Sequence, residues 1–177
     1  GSVDAIKNLI HIVQRDYEQG NAVAVVVSAM SGVTDLLIKS VEMAAHGDKW
    51  GYLSISRDIR DRHEYAINQL IPPGHERDQT LLAVNKLLDS HVELCNAINI
   101  LGEATPRIVD AIISFGERLS SVQIAAFLRQ SGVDAQAIDA GKLILTDDTY
   151  QNAQPLWDET EKRIERGLYP LLNEGVV

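Results

Sequence analysis

Hydroxyl groups and a glycine are concentrated in the stretch Ser28–Asp35, directly after a short apolar run. Ser28, Ser31 and Thr34 offer three hydroxyls, and Gly32 lets a ligand approach the backbone closely. At the carboxyl end of a strand, such a turn faces the crevice in which helix N-termini and free amides bind ligands. The stretch therefore suits a small anionic substrate. A turn without a ligand, in which Thr34 caps the next helix, explains the same composition.

A second group of small and charged residues, Ser114–Ser121, interrupts an otherwise apolar helical pattern. Glu117 follows Gly116 there, and a carboxylate at a break in a helix can point into a cleft and pair with an ammonium group. The alternative is an exposed glutamate beside Arg118, since Glu is mostly exposed in helices. Glu103 has the same two interpretations.

Other kinds of catalytic site find no support in the sequence. Cys95 lies in an apolar helical pattern and is a poor nucleophile, and no G-x-S-x-G elbow is present. Neither G-x-G-x-x-G nor G-x-x-x-x-G-K-[ST] occurs, so no recognised loop holds ATP or NAD. The five histidines show no metal-ligand spacing with a carboxylate or cysteine partner; they are His11, His46, His63, His75 and His91. No catalytic residue and no metal ligand is predicted.

Composition and charge describe one mildly acidic globular domain. The chain has 177 residues, 45% of them hydrophobic, and a formal net charge of -9. The acidic balance argues against nucleic acid as a partner, because the arginines of the run Arg57–Arg62 are interleaved with aspartates and predict a solvated helix face. The single Cys95 predicts a reducing compartment, and no membrane span or signal peptide is recognised. We expect a cytoplasmic protein without a membrane partner.

The elements that would position the two polar stretches follow an α/β order of helix, buried strand, polar turn and helix. Apolar spacing predicts a helix at each of Val3–Gly20, Leu36–Ala44, Leu53–Leu70, Leu81–Leu101, Pro106–Gly132 with a break at 115–116, and Leu156–Leu172. Short β-branched or aliphatic runs predict strands at Ala22–Val27, Asp134–Ile138 and Leu143–Leu145.

The two ends of the chain lead to a further expectation. The last residues, 175–177, resemble a strand that is just beginning, whereas domain boundaries normally fall in polar linkers, so we expect a truncated chain. At the other end, Gly1 and Ser2 fit either a cloning scar or the tail of a glycine-rich loop.

Two blocks of this sequence resemble signature blocks of the aspartokinases, in the amino-acid kinase family. They are Val25–Asp35, which contains VSAMSGVTD, and Ser114–Ser120, with the sequence SFGERLS. Leu101–Arg107 and Thr146–Ala153 are similar to further parts of that family in the same order, so the resemblance covers nearly the whole chain. The long interval between the two main blocks resembles the members with a helical insertion, here at about 50–102.

The resemblance implies a three-layer α/β/α sandwich of the amino-acid kinase (carbamate kinase-like) type, with a helical insertion and without its flanking strands. Residues 1–177 would be a partial catalytic domain, the N-terminal lobe that binds L-aspartate. The activity implied is transfer of the ATP γ-phosphate to the side-chain carboxylate of L-aspartate, the first step towards lysine, threonine, methionine and isoleucine. Glu117 would pair with the substrate ammonium, while Ser28 and Thr34 would hold its carboxylate oxygens.

Several parts of the family pattern are absent from this sequence. They include the K-F-G-G-T-S-V segment, the G-R-G-G-S-D block, the nucleotide-binding half and the ACT regulatory domains. ATP and Mg²⁺ are therefore expected in the complete enzyme, through the absent half, and this chain alone is expected to hold neither and to be inactive. The family also implies a homo-oligomer.

Two alternatives are kept. One is another amino-acid kinase, acting on glutamate or N-acetylglutamate. The other is a non-catalytic helical assembly module in which Leu53–Leu101 binds a partner.

Overall fold

The structure, a computed structural model, describes residues 3–176, which form eight α-helices and one 3-10 turn at Ala140–Lys142. The helices are α1 (Val3–Glu18), α2 (Val33–Ala45), α3 (Lys49–Leu70), α4 (His75–Leu101), α5 (Pro106–Ile113), α6 (Phe115–Gln130), α7 (Trp157–Gly167) and α8 (Tyr169–Asn173). The expectations for Gly1 and Ser2 lie outside the described residues, as does the part of the C-terminal strand prediction that falls on Val177. Val176 is not in a strand, because its N–H closes a turn on Leu171 O at 2.9 Å.

The predicted helices are present, although α3 and α4 begin at Lys49 and His75, before their predicted starts, and the helix predicted at Leu156–Leu172 is divided into α7 and α8. Thr105 is the N-cap of α5, where its Oγ1 accepts from Ile108 N at 3.4 Å and Pro106 takes the first helical position. Gly102 ends α4 with a φ of 74°, a left-handed conformation that favours glycine. The helical region predicted at about 50–102 consists of α3 and α4.

The predicted α/β/α sandwich is wrong for the described residues, because no strand and no sheet is formed among residues 3–176. The predicted strand Ala22–Val27 is irregular backbone without ladder hydrogen bonds in that part of the chain. Its burial nevertheless alternates, with Val23 and Val25 half-buried and Val26 97% exposed. The β-branched residues therefore favour a segment whose side chains are alternately half-buried and exposed. A strand also requires a neighbouring backbone that pairs with it through hydrogen bonds.

The other two predicted strands are also wrong. Asp134–Ile138 runs without regular structure between α6 and the 3-10 turn. Near Leu143–Leu145 the only pairing among the described residues is an isolated antiparallel bridge between Thr146 and Pro155. Leu156 N donates to Leu145 O at 2.8 Å beside that bridge, so this segment makes a local turn rather than a sheet.

The hydrophobic core lies among the long helices. α2 packs against α3, α4 and α5, while α4 also packs against α3 and α6, and α1 lies on α6 and α3. Aliphatic side chains fill this core as the composition predicts, and the fully buried members include Leu37, Ile59, Ile67, Leu88, Ile98, Ile112 and Leu119. Cys95 is buried among them, as expected for a small hydrophobe, and burial raises the pKa of its thiol.

Two buried histidines join these helices through hydrogen bonds. His91 Nε2 of α4 lies 2.9 Å from Ser40 Oγ of α2, which itself donates to Leu37 O at 2.6 Å, so the histidine is the donor in their bond. His63 Nδ1 of α3 donates to Gln123 Oε1 of α6 at 2.8 Å, and Gln123 Nε2 donates back to His63 O at 2.9 Å. Burial disfavours the charged imidazole and lowers the pKa of both histidines to about 4, so both are neutral at pH 7.

Two further expectations concern exposed and apolar surface. Arg57, Asp58, Asp61 and Arg62 are exposed on α3, in line with a solvated helix face. Arg60 departs from that prediction, because it is half-buried and its Nη2 donates to Asp89 Oδ1 of α4 at 2.9 Å. By length and composition alone the stretch Pro106–Gln130 passes as a membrane span, but 56% of its most apolar part is buried inside the protein, as in a core helix.

Candidate functional site

The turn that contains Ser28 and Thr34 leads directly into α2. Gly32 adopts a left-handed conformation with φ 76° at the N-cap of α2, where a residue with a side chain would be strained. Val33 N donates to Met30 O at 2.9 Å, which closes the turn. Thr34 is half-buried inside the first turn of α2 and is not its cap, so the capping interpretation of this residue is wrong.

Glu117 lies in the first turn of α6, directly after the break predicted at 115–116. α5 ends at Ile113, Ser114 forms the break, and its Oγ donates to Ala111 O at 2.8 Å. Glu117 is exposed, whereas Gly116 beside it is buried. The exposed carboxylate of Glu117 thus lies in the first turn of a helix whose first residues are buried in the core.

Gly116 brings the two sequence blocks into contact. A Cβ added to Gly116 would lie 2.6 Å from Ala29 Cβ and 3.4 Å from Leu37 Cδ1, so only a glycine allows α6 to approach the first block this closely. Ser28 and Glu117 each adjoin one residue of this contact. Residues far apart in sequence are thereby placed at one location, between the start of α2 and the start of α6.

Polar groups at this location are free to bind a ligand. Among the described residues, the side chains of Ser28, Thr34 and Glu117 make no hydrogen bond or ion pair, with each other or with any other group. The N–H groups of Thr34 and Asp35 lie in the first turn of α2 and have no intrahelical acceptor. The two blocks therefore present a carboxylate, two hydroxyls and, at the positive end of the α2 dipole, free amides, which are groups that suit a small zwitterion.

Arg62 supports this turn, whereas the sequence predicted it only as part of a solvated helix face. Its Nη1 reaches from α3 to donate to Ser31 O at 3.3 Å, and it lies 3.4 Å from the position of a Cβ on Gly32. The partners are 31 positions apart in sequence, and no local pattern links them. The guanidinium adds a positive charge near the turn.

A cavity of about 280 Å³ adjoins Ser28 and is lined by α1, residues 26–30 and α6. Its walls are mostly apolar, and neither Thr34 nor Glu117 lines it. Ser120 also lines this cavity, and among the described residues its buried Oγ has no hydrogen-bond partner. The sequence indicated Ser120 only as a member of its block, because no pattern in the neighbouring residues predicts that a single hydroxyl will be buried.

The two remaining blocks of the resemblance also meet. The Arg107 guanidinium lies 6.0 Å from the centre of the Tyr150 ring, and Gln151 N donates to Asp110 Oδ2 at 2.8 Å. That bond holds Gln151 in a left-handed conformation with φ 67°. In the same segment, hydrogen bonds from the backbone of Thr149 and Gln154 lower the pKa of Asp147.

We expect Gly116→Ala to destabilise the protein by about 1–3 kcal/mol, because the new methyl group overlaps Ala29. Denaturant unfolding at neutral pH measures the change. The matched test is the double variant Gly116→Ala/Ala29→Gly, which removes the opposing methyl group and should recover most of the loss. Equal losses in the single and double variants would show that the two blocks do not meet at this contact.

Comparisons with known proteins identify similar sequences. Residues 1–177 match the model of the amino acid kinase family. The chain is 31% identical over 167 residues to the bifunctional aspartokinase/homoserine dehydrogenase 1, chloroplastic, of Arabidopsis thaliana, covering 94% of this chain and 18% of that protein. It is 30% identical over 175 residues to the lysine-sensitive aspartokinase 3 of Escherichia coli (strain K12), covering 98% of this chain and 36% of that protein. The chain thus spans between about a fifth and about a third of these relatives.

Similar solved structures belong to the same group. The crystal structure of E. coli aspartokinase III in complex with aspartate and ADP (R-state) matches with a TM-score of 0.80 and 29% identity, over 99% of this chain and 37% of that chain. Its complex with lysine and aspartate (T-state) matches with a TM-score of 0.80 and 25% identity.

Proposed function

The chain belongs to the amino acid kinase family, and on that premise we propose that it forms the aspartate-binding part of an aspartate kinase. The proposed reaction transfers the γ-phosphate of ATP to the side-chain carboxylate of L-aspartate. The observation that carries the proposal is the contact of Gly116 with Ala29, which brings Ser28 and Glu117 to one location with their side chains free. The similarity to an aspartokinase solved with aspartate and ADP supports the choice of substrate class.

Each candidate residue has a physical role in this proposal. The Glu117 carboxylate pairs with the substrate ammonium group in a charge-assisted hydrogen bond. The hydroxyls of Ser28 and Thr34, with the free N–H groups at the start of α2, hold carboxylate oxygens. Orienting the acceptor oxygen in this way is what phosphoryl transfer requires of the acceptor half of a site, because positioning supplies much of the catalysis.

Nucleotide binding is assigned to a part of the protein outside these 177 residues. The chain spans 36% of the E. coli aspartokinase that it resembles, so the nucleotide-binding half expected of the family is proposed to lie in the rest of the protein. ATP with Mg²⁺ supplies the transferable phosphoryl group in the complete protein. Residues 1–177 then form one partial catalytic domain, with a helical insertion at about 50–102, and are inactive alone. The complete protein is a cytoplasmic homo-oligomer in this proposal.

A screen of acceptors on the complete protein tests the proposal. The protein is supplied with ATP, Mg²⁺ and one of L-aspartate, D-aspartate, L-glutamate or N-acetyl-L-glutamate, and acyl phosphate is trapped as its hydroxamate. We expect product with L-aspartate alone. Phosphorylation of glutamate or N-acetylglutamate without aspartate would assign another amino-acid kinase, and no product with any acceptor would favour the assembly module.

A further inference from the structure

A second cavity, of about 350 Å³, lies away from the candidate aspartate residues. Its walls come from residues 136–139, the 3-10 turn and α7, with Leu171 of α8. Three of its side chains are apolar, namely Ala137, Ile138 and Leu143. Three others, Lys142, Arg163 and Arg166, are positively charged.

The helix spacing makes these charges converge. Arg163 and Arg166 are three positions apart on α7, so their side chains share one face of the helix. Gly167 follows on the same face, where a Cβ would lie 3.1 Å from Leu143 Cδ2. The glycine therefore lets the end of α7 approach the 3-10 turn, which carries Lys142 on the other wall.

No acidic group forms a salt bridge with these three cations among the described residues. Among the described residues, Lys142, Arg163 and Arg166 have no salt-bridge partner within 4.0 Å. Asp139 is the one acid that lines the cavity, and it is already paired, with Arg118 Nε at 3.2 Å from its Oδ2 and Gly141 N at 3.1 Å from its Oδ1. Glu159 on α7 is paired with Lys162 at 2.8 Å, and its charge also acts at longer range on Arg163 and Arg166, so it offsets part of their positive charge.

The positive charge is unusual for this chain. The protein carries a net charge of -9, yet three cations without a salt bridge line one cavity. The C-terminal end of α7 contributes only about half a negative charge, so the helix dipole accounts for a fraction of one of them. Guanidinium groups bind phosphate through paired hydrogen bonds, and a group with more than one negative charge is best matched to several cations.

We propose that this cavity is a binding site for the phosphate group of a small molecule, with Lys142, Arg163 and Arg166 as its ligands. The site is separate from the proposed aspartate site and does not depend on it. The ligand group is a phosphate with more than one negative charge. Both inorganic phosphate compounds and nucleotides carry such a group.

Calorimetric titration of the 177-residue chain at low ionic strength tests the proposal, with pyrophosphate, ADP and adenosine as probes. We expect saturable binding of pyrophosphate, and at least a tenfold weaker affinity in the double variant Arg163→Gln/Arg166→Gln. The control is Arg57→Gln, which removes an exposed arginine of α3 and should leave the affinity unchanged. Helical circular dichroism of each variant confirms that it is folded.

The other probes identify the source of the phosphate. ADP binding as tightly as pyrophosphate, without adenosine binding, supports a site that recognises phosphate alone. Tighter ADP binding that is lost in the double variant supports a nucleotide phosphate at the same cations. No saturable pyrophosphate binding, or equal affinity in the double variant and in Arg57→Gln, would overturn the proposal.

Discussion

Replacing Glu117 by glutamine in the complete protein is expected to lower kcat/KM for L-aspartate roughly a hundredfold, about 3 kcal/mol. The substitution keeps the size of the side chain but removes the negative charge that the proposal pairs with the substrate ammonium group. Since Glu117 is exposed and makes no interaction with another described residue, its loss should not disturb the fold. Steady-state kinetics with L-aspartate as the varied substrate measure the effect, and unfolding curves check the stability.

The control for this experiment is Glu93→Gln, an exposed glutamate on α4 far along the chain from both blocks. It changes the net charge by the same amount and should leave kcat/KM within about twofold of the wild type. The ATP dependence should be unchanged in both variants, because Glu117 is assigned to the amino acid alone. An unaltered kcat/KM in Glu117→Gln would remove Glu117 from the site.

Acid is expected to destabilise the protein well before its carboxylates titrate. Burial disfavours the charged imidazole and lowers the pKa of His63 to about 4, against the opposing effect of the hydrogen bond that His63 donates to Gln123. Burial likewise lowers the pKa of His91 to about 4. In the unfolded chain both titrate near pH 6.5, so their contribution is fully present above that pH and is lost as the pH falls towards 4. At pH 5 each costs about 2 kcal/mol, and the pair about 4 kcal/mol.

Denaturant unfolding at pH 7.5 and at pH 5 measures this loss. Asp147 and Glu159, whose pKa values are lowered, contribute mainly below this window, because their loss begins only near the ordinary carboxylate pKa. The variant His91→Gln should show about half the pH dependence of the wild type, whatever its absolute stability. His46→Gln, which changes an exposed histidine, should keep all of it. The same pH dependence in both variants would contradict a buried neutral His91.

Local chemistry accounts for what the sequence predicted well. Thr105 with Pro106 marks a helix start through groups that act within four residues, and the apolar spacing of α3 and α4 identifies their buried faces. The two polar blocks were recognised by their composition and by resemblance. Their contact at Gly116 is consistent with that interpretation, because a glycine is required there.

Features that depend on distant partners were predicted wrongly or not at all. The run Ala22–Val27 has the composition of a buried strand, but whether a strand forms depends on a backbone elsewhere to pair with it. The bond from Arg62 to the turn and the unpaired hydroxyl of Ser120 arise from packing between helices. The same holds for the cations around the second cavity, which Lys142 and Arg166 line from two different elements.

A ¹⁵N–¹H correlation spectrum of the 177-residue chain, recorded during titration with L-aspartate, tests most directly whether this chain carries the amino-acid site. D-aspartate and ATP serve as controls. We predict saturable shifts of residues 28–35 and 114–121 with L-aspartate but not with D-aspartate, absent in Glu117→Gln, and we expect ATP to shift only residues around the second cavity. A dispersed spectrum that does not change with L-aspartate, or that shifts equally with the D-enantiomer, would contradict the proposal that Ser28, Thr34 and Glu117 form a substrate site in this chain.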